Sequence, residues 1–230
     1  MTLVKLFLLP FAGGNKNCYK IFSTFLPEHI ALHPVELPGR GARSGEPLLT
    51  SLEELVEDIY QQVSDRLAPP YAIYGHSMGA VLGYLLTKKI LSHNKPPPVQ
   101  LFFTGKGGPS CGYGYHGLHQ LPREQFIEKV SVFGGLPGEL LNNRKLLLIW
   151  EPILRADFQA VERYSYQQTA PFDIPVTVGI GKGDTVSTAQ AGEWEKETSA
   201  GFDLLKFPGN HFFIFESTEK LMQVIGRKLK

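Results

Sequence analysis

Short, almost continuously apolar runs alternate with longer helical patterns along most of the chain. The runs LVKLFLL, YAIYG, VQLFFTG and PVTVGIG have strand length, and amphipathic or apolar helical segments such as SLEELVEDIYQQVSDRL and GAVLGYLLTKKILSH separate them. Strands that are apolar at nearly every position are typical of a parallel sheet buried between two layers of helices. The pattern therefore predicts an α/β fold.

The same alternation predicts the remaining elements. A helix around CYKIFSTFL and a strand at ALHPVEL belong to the first half of the chain, and a helix around TAQAGEWEKETS, the strand DLLKF and the helix TEKLMQVIGRKLK complete the second half. We therefore expect β and α elements to alternate up to the C-terminal helix.

The alternation stops between about residues 118 and 168, where only helical patterns occur. These are PREQFIEKVSVF and NRKLLLIWEPILRADFQAVERYSYQQ, and we expect Pro152 to break or kink the second of them. A helical insertion over the carboxyl edge of a parallel sheet covers the place where such sheets bind ligands. We thus predict one domain, residues 1–230, that carries a helical lid at about 118–168.

Composition narrows the class of protein. The 230 residues are 43% apolar, which suits one domain with a sizeable core. Lys and Arg number 23 against 22 Asp and Glu, so we expect neither nucleic acid nor a membrane surface as a partner. The apolar start VKLFLLPFAGG is too short to cross a bilayer and lacks a signal-cleavage site.

Two cysteines, Cys18 and Cys111, are too few for a disulfide framework. Free thiols of this kind are typical of reducing compartments, so we expect a cytoplasmic protein. Nothing in the sequence requires an assembly, and we expect a monomer.

The pattern Gly-x-Ser-x-Gly occurs twice, around Ser77 in YGHSMGA and around Ser110 in GPSCG. A nucleophile elbow needs a strand, a tight turn that carries the serine, and then a helix. Ser77 lies between the strand YAIYG and the helix GAVLGYLLTKKI, whereas the segment after Ser110, GYGYHGLHQLP, is rich in glycine and has no apolar period. We therefore predict that Ser77 is the nucleophile.

A serine nucleophile needs a base, and histidine titrates near neutral pH. If the triad follows the order Ser, acid, His, three of the seven histidines precede or adjoin Ser77 and are excluded: His29, His33 and His76. Of the remaining four, His211 in FPGNHFF directly follows the last strand, at the edge where Ser77 also emerges.

The other three histidines have ordinary explanations. His93 ends a helix, where its charge would interact favourably with the helix dipole. His116 and His119 lie in a glycine-rich loop, and a metal site with Cys111 is a weaker interpretation than simple solvation. We predict His211 as the base and expect no bound metal.

The acid must orient His211 and stabilise its imidazolium form. Asp157 lies in the helical insertion, Asp173 before a strand and Asp203 at the start of one, whereas Asp184 follows VTVGIGKG at the carboxyl end of a strand. We predict Asp184, although a role as a turn residue or helix cap is the structural alternative.

An acyl-transfer site also needs backbone donors for the oxyanion. Met78 follows the nucleophile, and Ala12 precedes the glycine pair in LPFAGGNKN after the first strand, so we predict their N–H groups as the donors. The loop lacks the glycine spacing of a dinucleotide site and the Gly-Lys-Ser/Thr ending of a phosphate loop, as do GKGG at Lys106 and GKGD at Lys182.

With these residues placed, the sequence resembles the type II thioesterases that accompany nonribosomal peptide and polyketide synthases. The resemblance covers nearly the full length, through LLPFAGG, ELPGRGARSGEP, YGHSMGA, FGGLPGELL, PILRADFQAVERY and FPGNHFFI. Asn210 stands where a second glycine is common in the family, and TGKGGPSCGYGY replaces a stretch that often carries arginine and proline.

The resemblance implies an α/β-hydrolase fold, with helices on both faces of a mostly parallel sheet, and a separate hydrolase that needs no cofactor. It implies removal of stalled or misprimed acyl and aminoacyl groups from the phosphopantetheine arm of a carrier protein, which would be the partner. A general carboxylesterase or lipase would use the same triad, and a noncatalytic hydrolase-fold binding protein is a further alternative. A terminal, product-releasing thioesterase is usually fused to its synthase, whereas this chain starts at Met1 with a predicted strand.

Overall fold

A six-stranded, entirely parallel sheet forms the centre of the molecule. The computed structural model describes residues 2–112, 116–133 and 143–230. The strand order is β2-β1-β3-β4-β5-β6. The strands are β1 (Val4–Leu9), β2 (Ile30–Pro34), β3 (Tyr71–His76), β4 (Gln100–Thr104), β5 (Val176–Gly181) and β6 (Phe202–Phe207).

Seven α-helices connect and cover the strands within the described ranges. They are α1 (Leu52–Val63), α2 (Met78–Ser92), α3 (Arg123–Ser131), α4 (Arg144–Arg163), α5 (Thr188–Gly192), α6 (Phe213–Glu216) and α7 (Thr218–Lys228). None of the helices in the part of the chain that the structure describes is long and apolar enough to cross a membrane.

The strands are apolar throughout because both faces of the sheet are buried. On β1, Phe7 and Leu9 pack with α1 and α2 on one side, while Leu6 and Leu8 pack with α7 on the other. Successive strand residues point to opposite faces, so a sheet covered on both sides needs apolar residues at every position. The predicted α/β architecture with helices on both faces is thereby confirmed.

Two segments that the sequence predicts as helices form only short ones, wholly or partly of the 3-10 type. The segment CYKIFSTFL contains only a five-residue 3-10 helix, Lys20–Thr24, whose one buried residue is Phe22. The segment TAQAGEWEKETS divides into α5 and a 3-10 helix at Glu193–Glu197. Both segments are short, and tight 3-10 turns often replace an α-helix where a connection is brief.

Pro152, which we expected to break or kink the segment, lies inside α4 without breaking it. Proline removes the hydrogen bond to the carbonyl four residues earlier. Leu148 at that position is exposed, so water can bond the carbonyl that Pro152 leaves without a partner. The helix therefore continues over 20 residues.

Helices α3 and α4 make up most of the described part of the predicted insertion, and we refer to residues 118–168 as the lid. No strand interrupts the lid residues that the structure describes. Buried lid side chains, including Leu154, Phe158 and Val161, belong to the same apolar cluster as Met78 at the start of α2. The lid thus packs over the carboxyl edge of the sheet.

Candidate active site

Ser77 occupies a strained turn between β3 and α2. Its backbone has φ 54° and ψ −114°, and its N–H donates to the carbonyl of Thr104 at the end of β4 over 2.8 Å. Positive φ is uncommon outside glycine and is tolerated where the surrounding structure imposes it. The strand, turn and helix predicted for a nucleophile elbow are all present around Ser77.

The glycines on either side of Ser77 permit this turn. A Cβ on Gly75 would lie 2.0 Å from the carbonyl oxygen of Gly79, and a Cβ on Gly79 would lie 2.4 Å from the carbonyl oxygen of Leu9. Both distances are far below van der Waals contact. The strand and the helix therefore approach as closely as they do only because these two residues lack side chains.

Asp184 and His211 contact each other at the carboxyl ends of β5 and β6. The Nδ1 atom of His211 lies 3.1 Å from Oδ1 and 3.2 Å from Oδ2 of Asp184, whose side chain is fully buried. The N–H of Val186 also donates to Asp184 over 3.2 Å. Since Ser187 provides the N-cap of α5, Asp184 is not needed as the helix cap.

Close packing of two loops brings this pair together. The N–H of Gly183 donates to the carbonyl of Gly209 over 3.0 Å, and a Cβ on Gly181 would lie 2.2 Å from the carbonyl oxygen of Asn210. The loop before His211 therefore lies directly against the loop that carries Asp184. This contact positions the imidazole beside the carboxylate.

A second histidine, His76, packs against His211. Their ring centroids are 4.9 Å apart, and Nδ1 of His76 lies 3.0 Å from Oγ1 of Thr104. Burial, followed by the charge of His211, lowers the pKa of His76 well below 6.5. His76 is therefore neutral at neutral pH and adds no positive charge beside His211.

Ser77 and His211 line one cavity of about 370 Å³ beneath the lid. The lid contributes an apolar wall formed by Val130, Phe133, Trp150, Leu154, Phe158 and Val161. The rest of the lining is more polar and includes Lys106, Cys111, Thr185 and Gln190.

The two predicted oxyanion donors also line this cavity. Ala12 lies in the loop after β1, and Met78 is the first residue of α2. The first N–H groups of a helix have no partner within the helix, which leaves the Met78 N–H free of the α2 ladder. The neighbouring N–H of Gly13 instead donates to Asp157 over 2.7 Å.

The residues that were rejected as nucleophile, base or acid occupy other positions. Ser110 is exposed in the loop after β4. His93 lies at the C-cap of α2, with Nδ1 2.9 Å from the carbonyl oxygen of Lys89, and His119 pairs with Glu162. Asp203 forms an exposed ion pair with Lys228.

Two features of the site were missed by sequence reasoning. Lys106, rejected as a phosphate ligand, is buried in the cavity wall, where burial lowers its pKa to about 8 and Nζ donates to the carbonyl of Cys111 over 2.6 Å. Asp157, rejected as the triad acid, is a fully buried residue of lid helix α4 and pairs with Arg40. Neither residue has a neighbouring motif that predicts its burial.

Comparison with known proteins assigns the chain to a family. The profile of the family described as Thioesterase domain matches residues 4–229. This chain belongs to the thioesterase domain family. The thioesterase is 34% identical to the gramicidin S biosynthesis protein GrsT of Aneurinibacillus migulanus, over 99% of this chain and 89% of that protein.

Solved structures agree with this assignment. ClbQ from the colibactin NRPS/PKS pathway superposes with a TM-score of 0.94 at 31% identity, covering 99% of this chain and 97% of that one. YbtT, a type II thioesterase from the yersiniabactin NRPS/PKS pathway, superposes with a TM-score of 0.89 at 25% identity, covering 99% and 93%. The predicted resemblance to type II thioesterases is thereby confirmed, and with it the reaction class of thioester hydrolysis.

Proposed function

We propose that this thioesterase uses Ser77, His211 and Asp184 as a catalytic triad to remove acyl or aminoacyl groups from the phosphopantetheine arm of a carrier protein. The observation that carries the triad is the strained elbow at Ser77, which opens into the cavity that His211 also lines. Asp184, buried against His211, completes the set. We place all three residues in one α/β-hydrolase domain of residues 1–230, with the lid as an insertion.

The first half of the reaction transfers the acyl group to the enzyme. The carboxylate of Asp184 accepts a hydrogen bond from Nδ1 of His211, which leaves Nε2 to take the Ser77 proton. The Ser77 oxygen attacks the thioester carbonyl carbon, and the carbonyl electron pair moves onto oxygen. The oxyanion then re-forms the carbonyl as the carbon–sulfur bond breaks, His211 gives its proton to the departing thiolate sulfur, and an acyl-serine remains.

The second half releases the acid. His211 removes a proton from water, the resulting hydroxide attacks the acyl-serine, and the Ser77 oxygen leaves with the proton from His211. In both halves the N–H groups of Ala12 and Met78 stabilise the oxyanion, and each such donor is worth about 10²- to 10³-fold in kcat. No redox step is needed at any stage.

The relatives support a carrier-bound substrate. GrsT is named for gramicidin S biosynthesis, and YbtT is a type II thioesterase of an NRPS/PKS pathway. Synthases of these classes hold their intermediates as thioesters on carrier proteins, and the resemblance implies that this enzyme clears such intermediates when they stall. The lid provides a surface beside the cavity against which a carrier would dock.

Labelling with a fluorophosphonate probe, followed by peptide mapping, tests the nucleophile. We expect label on Ser77 alone, and Ser77→Ala should lower hydrolysis of an acyl-carrier thioester by about 10⁴-fold or more. Ser110→Ala serves as the matched control, since it has the same local pattern but an exposed position. Label on Ser110, or near-normal turnover by Ser77→Ala, would defeat the assignment.

A further inference from the structure

Two hydrogen bonds attach Gly13 to helix α4 of the lid. The Gly13 N–H donates to Oδ2 of Asp157 over 2.7 Å, and the Gly13 carbonyl accepts from Nε1 of Trp150 over 2.9 Å. A Cβ on Gly13 would lie 2.7 Å from Leu154 and 2.8 Å from Trp150. Gly13 is therefore packed directly against the lid helix.

A further hydrogen bond restrains the peptide group between Phe11 and Ala12, which carries the Ala12 N–H. That group also contains the carbonyl of Phe11, which accepts from the N–H of Gly14 over 2.8 Å. A trans peptide is planar, with its N–H and C=O pointing in opposite directions. Fixing the Phe11 carbonyl and both polar groups of Gly13 thus fixes the direction of the Ala12 N–H.

This loop needs an external restraint. Gly13 has φ +78°, and Gly14 follows it, so the backbone of the loop has wide conformational freedom. Donors are most effective when they are already oriented before charge develops on the substrate. The side chains that supply the restraint come from residue positions about 140 further along the chain.

The carboxylate of Asp157 is itself held in place. Arg40 contacts both of its oxygens, with Nη1 2.6 Å from Oδ2 and Nη2 2.8 Å from Oδ1, and both side chains are buried. A buried ion pair adds little net stability, because both charges lose their contact with water. The informative feature is that both partners contact the loop after β1: Asp157 accepts from the Gly13 N–H, and Arg40 Nη1 donates to the Gly14 carbonyl over 3.3 Å.

We infer that Asp157 and Trp150 are positioning residues that orient the Ala12 N–H, so that the oxyanion hole is complete only when α4 is seated on the loop after β1. The inference rests on the proposed role of Ala12 as a donor. It gives the lid a second task besides covering the cavity, since any displacement of α4 would misalign the donor. Thioester cleavage would then depend on the position of the lid.

Two conservative variants test the inference. Trp150→Phe keeps an aromatic ring but removes the donor to Gly13, and Asp157→Asn keeps the shape but removes the charge. We expect each to lower kcat by about tenfold to a hundredfold with little change in KM, because the donor acts mainly in the transition state. Affinity for an aryl boronic acid, which forms a tetrahedral adduct with a serine nucleophile, should fall by the same factor.

Glu162→Gln is the matched control on the same helix. Glu162 accepts from the N–H groups of Gly117 and His119 over 2.8 and 3.2 Å, so it too anchors a loop to α4. This variant should lower the unfolding temperature but leave kcat and boronate affinity within about twofold of the wild type. A fall in stability without a fall in kcat for Trp150→Phe and Asp157→Asn would overturn the inference.

Measuring an aryl ester beside the carrier thioester separates this inference from the proposed function. Both substrates form the same oxyanion, so the variants should slow both reactions. If the wild type cleaved the aryl ester but not the carrier thioester, the proposed substrate would be wrong, and the loss of esterase activity in the variants would still support the positioning role. If Asp157→Asn failed to fold, Trp150→Phe alone would decide the question.

Discussion

At the scale of single residues, the site depends on one strained position. Ser77 and Asn94 are the two non-glycine residues with positive φ among those that the structure describes. A non-glycine residue in such a conformation costs about 1–3 kcal/mol. The hydrogen bond from the Ser77 N–H to Thr104 and the packing of Gly75 against Gly79 supply the restraint that maintains it.

The acid of the proposed triad yields a prediction at the same scale. Asp184→Asn should preserve the fold but lower kcat by about 10⁴-fold, because a neutral amide cannot hold His211 in the required tautomer or stabilise its imidazolium form. Steady-state hydrolysis of an acyl thioester, with circular dichroism to verify folding, measures this effect.

Asp203→Asn is the control for that change. Asp203 pairs with Lys228 on the surface, and its side chain is about half exposed, so we expect turnover close to the wild type. A large loss of kcat in Asp203→Asn with normal turnover in Asp184→Asn would contradict the proposed triad.

At the scale of elements, the junction of β3 and α2 determines the position of Ser77. The close approach of α2 to the end of β1 leaves no room for a side chain at Gly79, although alanine elsewhere in a helix stabilises it by about 1 kcal/mol relative to glycine. A Gly→Ala change, which usually stabilises a helix, is therefore expected to destabilise the protein at Gly79.

We predict that Gly79→Ala destabilises the protein by about 3 kcal/mol or more, because the added methyl group meets the backbone carbonyl of Leu9 and neither partner is a flexible side chain. Urea unfolding monitored by circular dichroism measures the difference. Gly45→Ala is the control, since a Cβ there meets nothing within 4 Å, and it should change stability by no more than about 0.5 kcal/mol. Equal stability of the two variants would show that the junction is looser than the structure indicates.

At the scale of the whole molecule, the cavity lies between the sheet edge and the lid. Its apolar wall belongs to α3, α4 and Phe133, two residues beyond the end of α3, whereas Ser77 and His211 belong to the sheet side. The cavity is therefore bounded by two parts of the chain, the carboxyl edge of the sheet and the lid. Contacts far from the reacting carbonyl, such as those of a docked carrier, can contribute to positioning both parts.

We predict that the enzyme prefers acyl groups on a carrier protein to the same groups on coenzyme A or a short thiol, by about tenfold or more in kcat/KM. The loss on truncated substrates should appear in kcat as well as in KM, since carrier binding contributes to positioning. Hydrolysis assays with the same acyl group on the carrier, on coenzyme A and on a short thiol measure this preference. Equal kcat/KM values for the three thioesters, or a larger kcat/KM for an ester of a long-chain alcohol, would favour a general esterase.

Much of this architecture follows from local sequence patterns. The alternation of apolar runs and helical segments predicted the parallel sheet, because strands buried on both faces need apolar residues at every position. The carboxyl ends of parallel strands meet at one edge, so Ser77, Asp184 and His211 could be placed together from the order of elements alone. The structure places them at that edge, and their catalytic roles stay predictions.

Other features were decided only by tertiary structure. Arg40 and Asp157 are 117 residues apart in the chain, and Trp150 and Gly13 are 137 apart, so no periodicity or motif connects them. Lys106 lies in a glycine-rich loop whose burial depends on packing against other elements, including Trp194, whose Nε1 donates to its carbonyl. Sequence periodicity reports which face of an element is buried. Which side chains from distant elements then meet depends on how those elements pack, and that packing is what joins the lid to the loop after β1.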